Sequence, residues 1–368
     1  MKKALKNRKM IILSVAVLVL VAVFIVLYFL VFRESRDEDG FIRKSVSKAV
    51  DEAPDVIGNT YENFTLPDSI DITCGDSLYD MVTVKHGDTD YEKLTKDVAK
   101  VFVDDFDESK LVGANEQPGV YKRSFYDENY CFDIYSCGSI NYVDTSHVIN
   151  DKLEKVYIIG KDSIDNVSYS VGGQDYSLQQ AIDYVTDKFM KDFAPLHECC
   201  DGIVPYGIYV FDSGDGNYFY EVVCEIMYEG CLFMVDGESI DNRPHVWGVK
   251  AEFGIFKPDV IDSMTLNGLS VIKKEKVKEI ITLETALEHL EKELAPESNY
   301  QISEVALKYV RKRDSMYEEE STIKPYWCLT VAEGGSKFGF YSPRCVIYID
   351  AQTGDISCYD SRTMEFLF

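Results

Sequence analysis

Two short runs carry residue types that hold metals. His197-Glu198-Cys199-Cys200 places an imidazole beside two thiols, the ligands zinc prefers. A zinc site needs a second paired set of ligands, which is missing, and the run follows Pro195 in a helix-to-strand loop. A disulfide or ordinary packed cysteines account for it without metal. Asp212-Ser213-Gly214-Asp215-Gly216-Asn217 suggests a calcium loop but lacks that loop's alternating acids and closing glutamate, so it reads as a Gly-rich hairpin turn. Ser45-x-x-Lys48 has the spacing of the nucleophile pair of penicillin-recognising enzymes without their partner motifs.

The five histidines, His86, His147, His197, His245 and His289, form no His-Glu-x-x-His run. Gly-x-Ser-x-Gly, phosphate-loop and dinucleotide fingerprints are also missing. The expectation is therefore a non-catalytic chain with no catalytic, cofactor-binding or metal-ligating residues and no cofactor. Two carboxylates suffice for general acid–base chemistry, so a cell-envelope hydrolase is the enzyme alternative. A divalent-cation-binding acidic surface is the other alternative. Asn63-Phe-Thr65 and Asn166-Val-Ser168 are glycosylation acceptors only in a host that modifies them.

The elements that would position such residues repeat along the chain. Leu178, Ala181, Ile182, Val185 and Phe189 fall at helical spacing, as do Leu283, Ala286, Leu287, Leu290 and Leu294. Ser177 with Gln180 predicts a capping box, Thr282 an N-cap, and Pro195 and Pro296 the ends. After each helix come strand-like runs with matched cysteines. Cys224 precedes Glu229-Gly230 by five residues and Cys328 precedes Glu333-Gly334 by five; Cys231 precedes Asp236 as Cys345 precedes Asp350. This predicts a repeat of helix plus about three antiparallel strands, with "CLFMVDGESID" at Cys231 the counterpart of "CVIYIDAQTGDI" at Cys345. A degenerate first copy starts with Leu94, Val98, Val101 and Phe102 on one face, followed by Cys131, Cys137 and Asp144.

Cysteine is small and apolar, and repeated core positions explain Cys224, Cys231, Cys328 and Cys345 without redox chemistry. A two-residue turn at Glu229-Gly230 would set Tyr228 opposite Cys231 and Cys224 opposite Val235, too far apart for Cys224 and Cys231 to bridge.

Met10 to Phe32 is uncharged, roughly 34 Å as a helix and long enough to cross a bilayer core. Lys2, Lys3, Lys6, Arg8 and Lys9 before it predict a cytoplasmic N-terminus and an outside C-terminal portion. The formal charge is −25, and since the basic tail holds +5 the remainder carries −30, which argues against nucleic acid or anionic lipid as a partner.

The run from "ITLETALEHLEKELAP" through "YQISEVALKYV" and "PYWCLTV" to "VIYIDAQTGDI" resembles PepSY-like domains. After one N-terminal anchor, the arrangement also resembles the YycH and YycI regulators of a cell-wall histidine kinase. The resemblance implies protein-binding, regulatory units without catalysis. Asp350 and Gly354 match its turn positions, where Asp accepts from turn amides and Gly takes positive φ.

The expected fold class is α+β, a single N-terminal transmembrane helix followed by tandem units of one helix packed on a small antiparallel sheet. The expected divisions are 1–9 cytoplasmic tail, 10–32 transmembrane helix, 33–58 stalk, 59–160 first degenerate unit, 161–268 second unit and 269–368 third PepSY-like unit. The expected function is a membrane-tethered extracytoplasmic regulatory module, at the cell membrane and single-pass, with an envelope protein as partner.

Overall fold

Both predicted helix starts form as their caps dictate. Ser177 and Gln180 exchange side-chain and backbone bonds at the head of helix Leu178–Lys188, and Thr282 accepts from Thr285 at the head of helix Leu283–Glu293. Helix Tyr91–Phe102 starts on Asp90, which accepts from the Lys93 amide. Every residue named for the two later helix faces is buried; in the first copy Leu94, Val98 and Phe102 are buried and Val101 is half-buried.

A computed structural model describes residues 37–366, except 38, 85–89, 104–105, 111, 114–121, 127, 136–138, 148–153, 161–163, 165, 197–199, 215, 236–249, 269, 296–298, 312–319, 332–344 and 361–364. Residues 10–32, His197 to Cys199, Asp236 and Glu333-Gly334 lie outside the described residues. Contacts divide the chain into Met1–Arg43 and Lys44–Phe368. In the first unit Arg43 donates to Asp37 and Asp39. All else below concerns the second.

The strands up to the second repeated helix are β1 (Arg43–Ser45), β2 (Phe64–Thr65), β3 (Leu78–Val84), β4 (Val112–Gly113), β5 (Lys122–Tyr126), β6 (Tyr130–Tyr135), β7 (Ile140–Asp144), β8 (Glu154–Gly160), β9 (Ser168–Val171) and β10 (Gln174–Ser177). After helix Leu178–Lys188 come β11 (Gly202–Asp212), β12 (Tyr218–Tyr228), β13 (Cys231–Val235), β14 (Lys250–Ile255), β15 (Ser263–Leu266), β16 (Val271–Val277) and β17 (Glu279–Ile281). The last helix is followed by β18 (Tyr300–Arg311), β19 (Glu320–Val331), β20 (Cys345–Asp350), β21 (Ile356–Asp360) and β22 (Glu365–Phe366).

The repeat is visible as two long hairpins. β11 with β12 and β18 with β19 each pair antiparallel over most of their length. The third strand of the second copy, however, is not the run at Cys231. Cys224 on β12 is paired with Ala251 of β14, as Cys328 on β19 is paired with Tyr348 of β20. The counterpart of the closing hairpin β20–β21 is thus β14–β15. Tyr228 does face Cys231, but β13 leaves β12 after Ile226↔Phe233 and runs parallel to β18.

That departure overturns the expected fold class. β13–β18 joins the second copy to the third, and β15–β7 joins it to the first, so the copies share one large, mostly β sheet network. Traced pair by pair, the described ladders branch at β12, where β13 and β14 share one edge, and at β19, where β3 and β20 do. Separate small sheets would leave rows of unpaired amides at each edge, and edge-to-edge fusion satisfies them. The expected α+β tandem modules, PepSY-like units included, are corrected to this mainly β sheet with helices laid against it.

The longest described helix, Tyr91–Phe102, has 12 residues, and no helix among the described residues is long and apolar enough to cross a membrane. The expected single-pass anchor at 10–32 lies outside those residues. The membrane partner, the cell-membrane address and the envelope setting of a protein partner rested on it and are withdrawn. Part of the expected stalk is packed structure. Val46 and Ala49 of helix Val46–Asp51, with Ala53 and Val56 of the next turn, are buried, and that turn touches helix Leu283–Glu293.

Candidate functional site

Three chain reversals meet at one end of the second copy: the β9–β10 turn, the β11–β12 turn and the β14–β15 loop. Asn217 binds the first two together, because its Oδ1 accepts from the Gly173 amide at 3.0 Å and the Ser170 hydroxyl at 3.3 Å. The β11–β12 turn is closed by Ser213, whose amide and hydroxyl both donate to the Asn217 carbonyl, and by Asp212, which accepts from Gly214. The Asp212–Asn217 run is thus the hairpin turn the sequence predicts. Gly172 has φ 56°, and a Cβ there would stand 3.2 Å from the Phe256 carbonyl oxygen, so glycine lets the β9–β10 tip approach the β14–β15 loop.

That loop is held from both sides. The buried Asp262 accepts from the Phe256 amide at 2.7 Å, and Tyr176 donates to Asp259 at 2.9 Å. Asp259 has φ 58°, which turns the chain around it. Burial and the Asp259 carboxylate push the Tyr176 phenol well above its ordinary range, so it stays a donor. Beneath it, Tyr220 donates to the Tyr176 carbonyl at 2.6 Å and accepts from the Tyr169 amide at 3.1 Å.

Between the three reversals lies an open groove of about 660 Å³, within the range of small-ligand and peptide-anchor sites. Its apolar wall includes Phe256 lying on Phe219 at 4.4 Å, and Phe219 is backed by Phe211 at 4.5 Å. Gln174, Ser213, Lys257 and Asp259 supply polar groups at its margin. Asp259 is the one carboxylate among the described residues lining it, and it already accepts from Tyr176. The groove can hold an apolar side chain against rings and answer flanking polar groups.

A second charged constellation lies where β18 meets the second copy. Lys308, 7% exposed in its side chain, is 2.7 Å from Glu225 and 3.4 Å from Glu304. Burial opposes its charge, but the two carboxylates outweigh burial and hold the ammonium well above its ordinary value. Nearby Tyr206 is pushed up to about 12 by burial, then by Glu304 and Glu225. The carboxylates here are tied to the lysine.

The motifs weighed from sequence do not converge on either place, apart from the Asp212–Asn217 turn. Lys48 pairs with Glu52 rather than with Ser45, and Cys200 is buried. Asn63 is buried and donates to the Glu291 carbonyl. Among the described residues no group of three or more His, Cys, Asp or Glu side chains is placed to hold a metal ion. Asp350 and Gly354 occupy the expected turn: Asp350 accepts from Gln352 and Thr353, and Gly354 has φ 82°. The groove was missed because its walls are some 40 residues apart in sequence. Phe211, Phe219 and Phe256 carry no motif, and only the register of β12 against β11 and β14 brings them together.

No family model matches the chain, and no curated protein matches it. A solved structure described as an uncharacterized protein from Eubacterium rectale ATCC 33656 is similar in fold, with a TM-score of 0.53 and 14% identity. The match covers 84% of this chain and 97% of that one.

Proposed function

We propose that this protein is a non-catalytic binding module that takes a peptide segment of another protein into the groove between the Gly172, Ser213 and Phe256 turns. The observation that carries this reading is the stacked Phe256–Phe219 pair, backed by Phe211, lining a groove of about 660 Å³. Stacked rings hold their geometry at little entropic cost and suit an inserted apolar or aromatic side chain. The occupant in this reading presents one such side chain flanked by polar groups, because Lys257 and Asp259 both stand at the margin.

Crosslinking pull-downs with the full chain test this. Wild-type protein should capture a defined partner, and Phe256→Ala should lose it while circular dichroism and melting stay near wild type. Equal capture by Phe256→Ala, or no partner at all, would count against the groove as a docking site.

A further inference from the structure

Cysteine chemistry outside the groove carries one more inference. The segment before β3 crosses the β12–β13 turn at backbone distance. A Cβ on Gly75 would collide with the Glu229 carbonyl, and one on Gly230 would stand 2.9 Å from the Gly75 Cα. Two glycines thus meet face to face, and a cysteine flanks each of them, Cys74 before Gly75 and Cys231 after Gly230. The crossing is anchored on both sides. Asp201 accepts from the Gly230 amide at 2.8 Å, and the Tyr309 hydroxyl accepts from the Tyr79 amide at 3.0 Å.

The two thiols lie close enough in this crossing to interact, both are free, and Cys74 donates to the Gly75 carbonyl at 3.3 Å. Cys231 is fully buried and also donates to the Leu307 carbonyl at 3.2 Å; Cys74 is half-buried. We propose that Cys74 and Cys231 form a redox pair that closes to a disulfide by exchange with a small-molecule disulfide, clamping the 74–76 segment onto the Glu229–Gly230 turn.

The roles follow from exposure. The Cys74 thiolate attacks one sulfur of the small disulfide; that S–S bond breaks and one thiolate leaves. The Cys231 thiol then attacks the Cys74 sulfur, passing its proton to the second small thiolate as that thiolate is expelled. Two protein thiols are oxidised, one small disulfide is reduced to two thiols, and the protons end on the leaving thiolates. Contact with Cys231 holds the Cys74 thiol below its ordinary value, whereas burial pushes Cys231 well above its own. That asymmetry makes Cys74 the first attacking thiol, and leaves Cys231 to react only with the sulfur held beside it.

The test treats the folded full-length protein with 2-hydroxyethyl disulfide, quenches with acid, alkylates, and maps non-reduced peptides by mass spectrometry. The expected result is a Cys74–Cys231 crosslinked peptide, both thiols lost together, and a higher melting temperature reversed by reductant. In Cys231→Ala the reaction should stop at a stable mixed disulfide on Cys74; in Cys74→Ser, Cys231 should stay unmodified and the melting shift should vanish. A mixed disulfide that persists on Cys74 in the wild type, a bridge between Cys231 and Cys328 instead, or no reaction at Cys74 would each overturn the proposal.

Discussion

Removing Glu225 should destabilise this protein more than removing Lys308, although the two form one ion pair. At 2.7 Å and an effective dielectric near 20, the Lys308–Glu225 attraction is about 6 kcal/mol, and Lys308–Glu304 at 3.4 Å adds about 5 kcal/mol. Most of this offsets the several kcal/mol needed to bring each charge out of water. What decides the outcome is which charge is left behind. Glu225→Ala strands an ammonium whose side chain is 7% exposed, with Glu304 as its remaining carboxylate. Lys308→Met leaves carboxylates on side chains that are 19% and 45% exposed, both able to reach solvent, and puts an apolar chain of similar length in the buried place.

Breaking a buried pair so that a buried charge is left uncompensated typically costs about 3–5 kcal/mol. Because Glu304 still partners the ammonium, Glu225→Ala should fall near the lower end, about 3 kcal/mol, and Lys308→Met near about 1 kcal/mol. Urea unfolding followed by tryptophan fluorescence and far-UV circular dichroism would measure both, with coincident transitions as the check on two-state analysis. The pH dependence has a definite sign. The folded pKa of Lys308 is raised above its unfolded value, so its contribution is complete below about pH 10.4 and is lost as pH climbs through the folded value. The gap between wild type and Lys308→Met should therefore narrow only above about pH 10.4. Equal costs for the two variants, or a gap that closes between neutral pH and pH ~9, would refute the reasoning.

Phe219→Ala should cost about 3–5 kcal/mol, since the ring is 3% exposed and stacked on both faces; chemical denaturation checks it. Tyr220→Phe removes the hydroxyl that bridges the Tyr169 amide and the Tyr176 carbonyl, and should lose about 1–3 kcal/mol by the same measurement. Gly354→Ala, at φ 82°, should lose about 1–2 kcal/mol. In fresh protein without reductant, Cys224 and Cys231 should resist alkylation while folded and react on unfolding, as buried free thiols do.

What could be read in the sequence was local. Ser177 with Gln180, Thr282 before Thr285, and the five apolar positions of each helix specify helix starts and buried faces within a dozen residues. Asp350 to Gly354 specifies its own turn for the same reason. The mistaken part was the assignment of Cys231 as the counterpart of Cys345, which rested on equal spacing to an aspartate. Spacing cannot say which edge of β12 a later strand takes, and β14, beyond the undescribed 236–249 stretch, takes the place that β13 was given. Everything that depends on long-range pairing was lost with it, including the fusion of the sheet and the groove. The three phenylalanines of the stack are ordinary strand residues until the register of β11, β12 and β14 sets Phe211 opposite Phe219 and Tyr220 opposite Ile255.

The displaced strand also explains why two near copies carry different sites. In the third copy β20 follows directly in the closing hairpin, all six of its residues are buried, and Asp350 ties off a short turn with two amides. In the second copy β13 leaves to pair with β18, which brings Cys231 against Cys74 and Leu307 and sets Glu225 beside Lys308. The closing hairpin β14–β15 then carries a longer loop, from Phe256 to Asp262, with room for Phe256 to lie on Phe219 and for Asp259 to reach Tyr176. One change of pairing partner thus accounts for the charged cluster and the thiol pair, while β14 takes the freed edge of β12 beside the groove. Breaking the β13–β18 pairing, for example with proline in place of Leu232, should disturb the first two directly and the groove only through loss of overall stability.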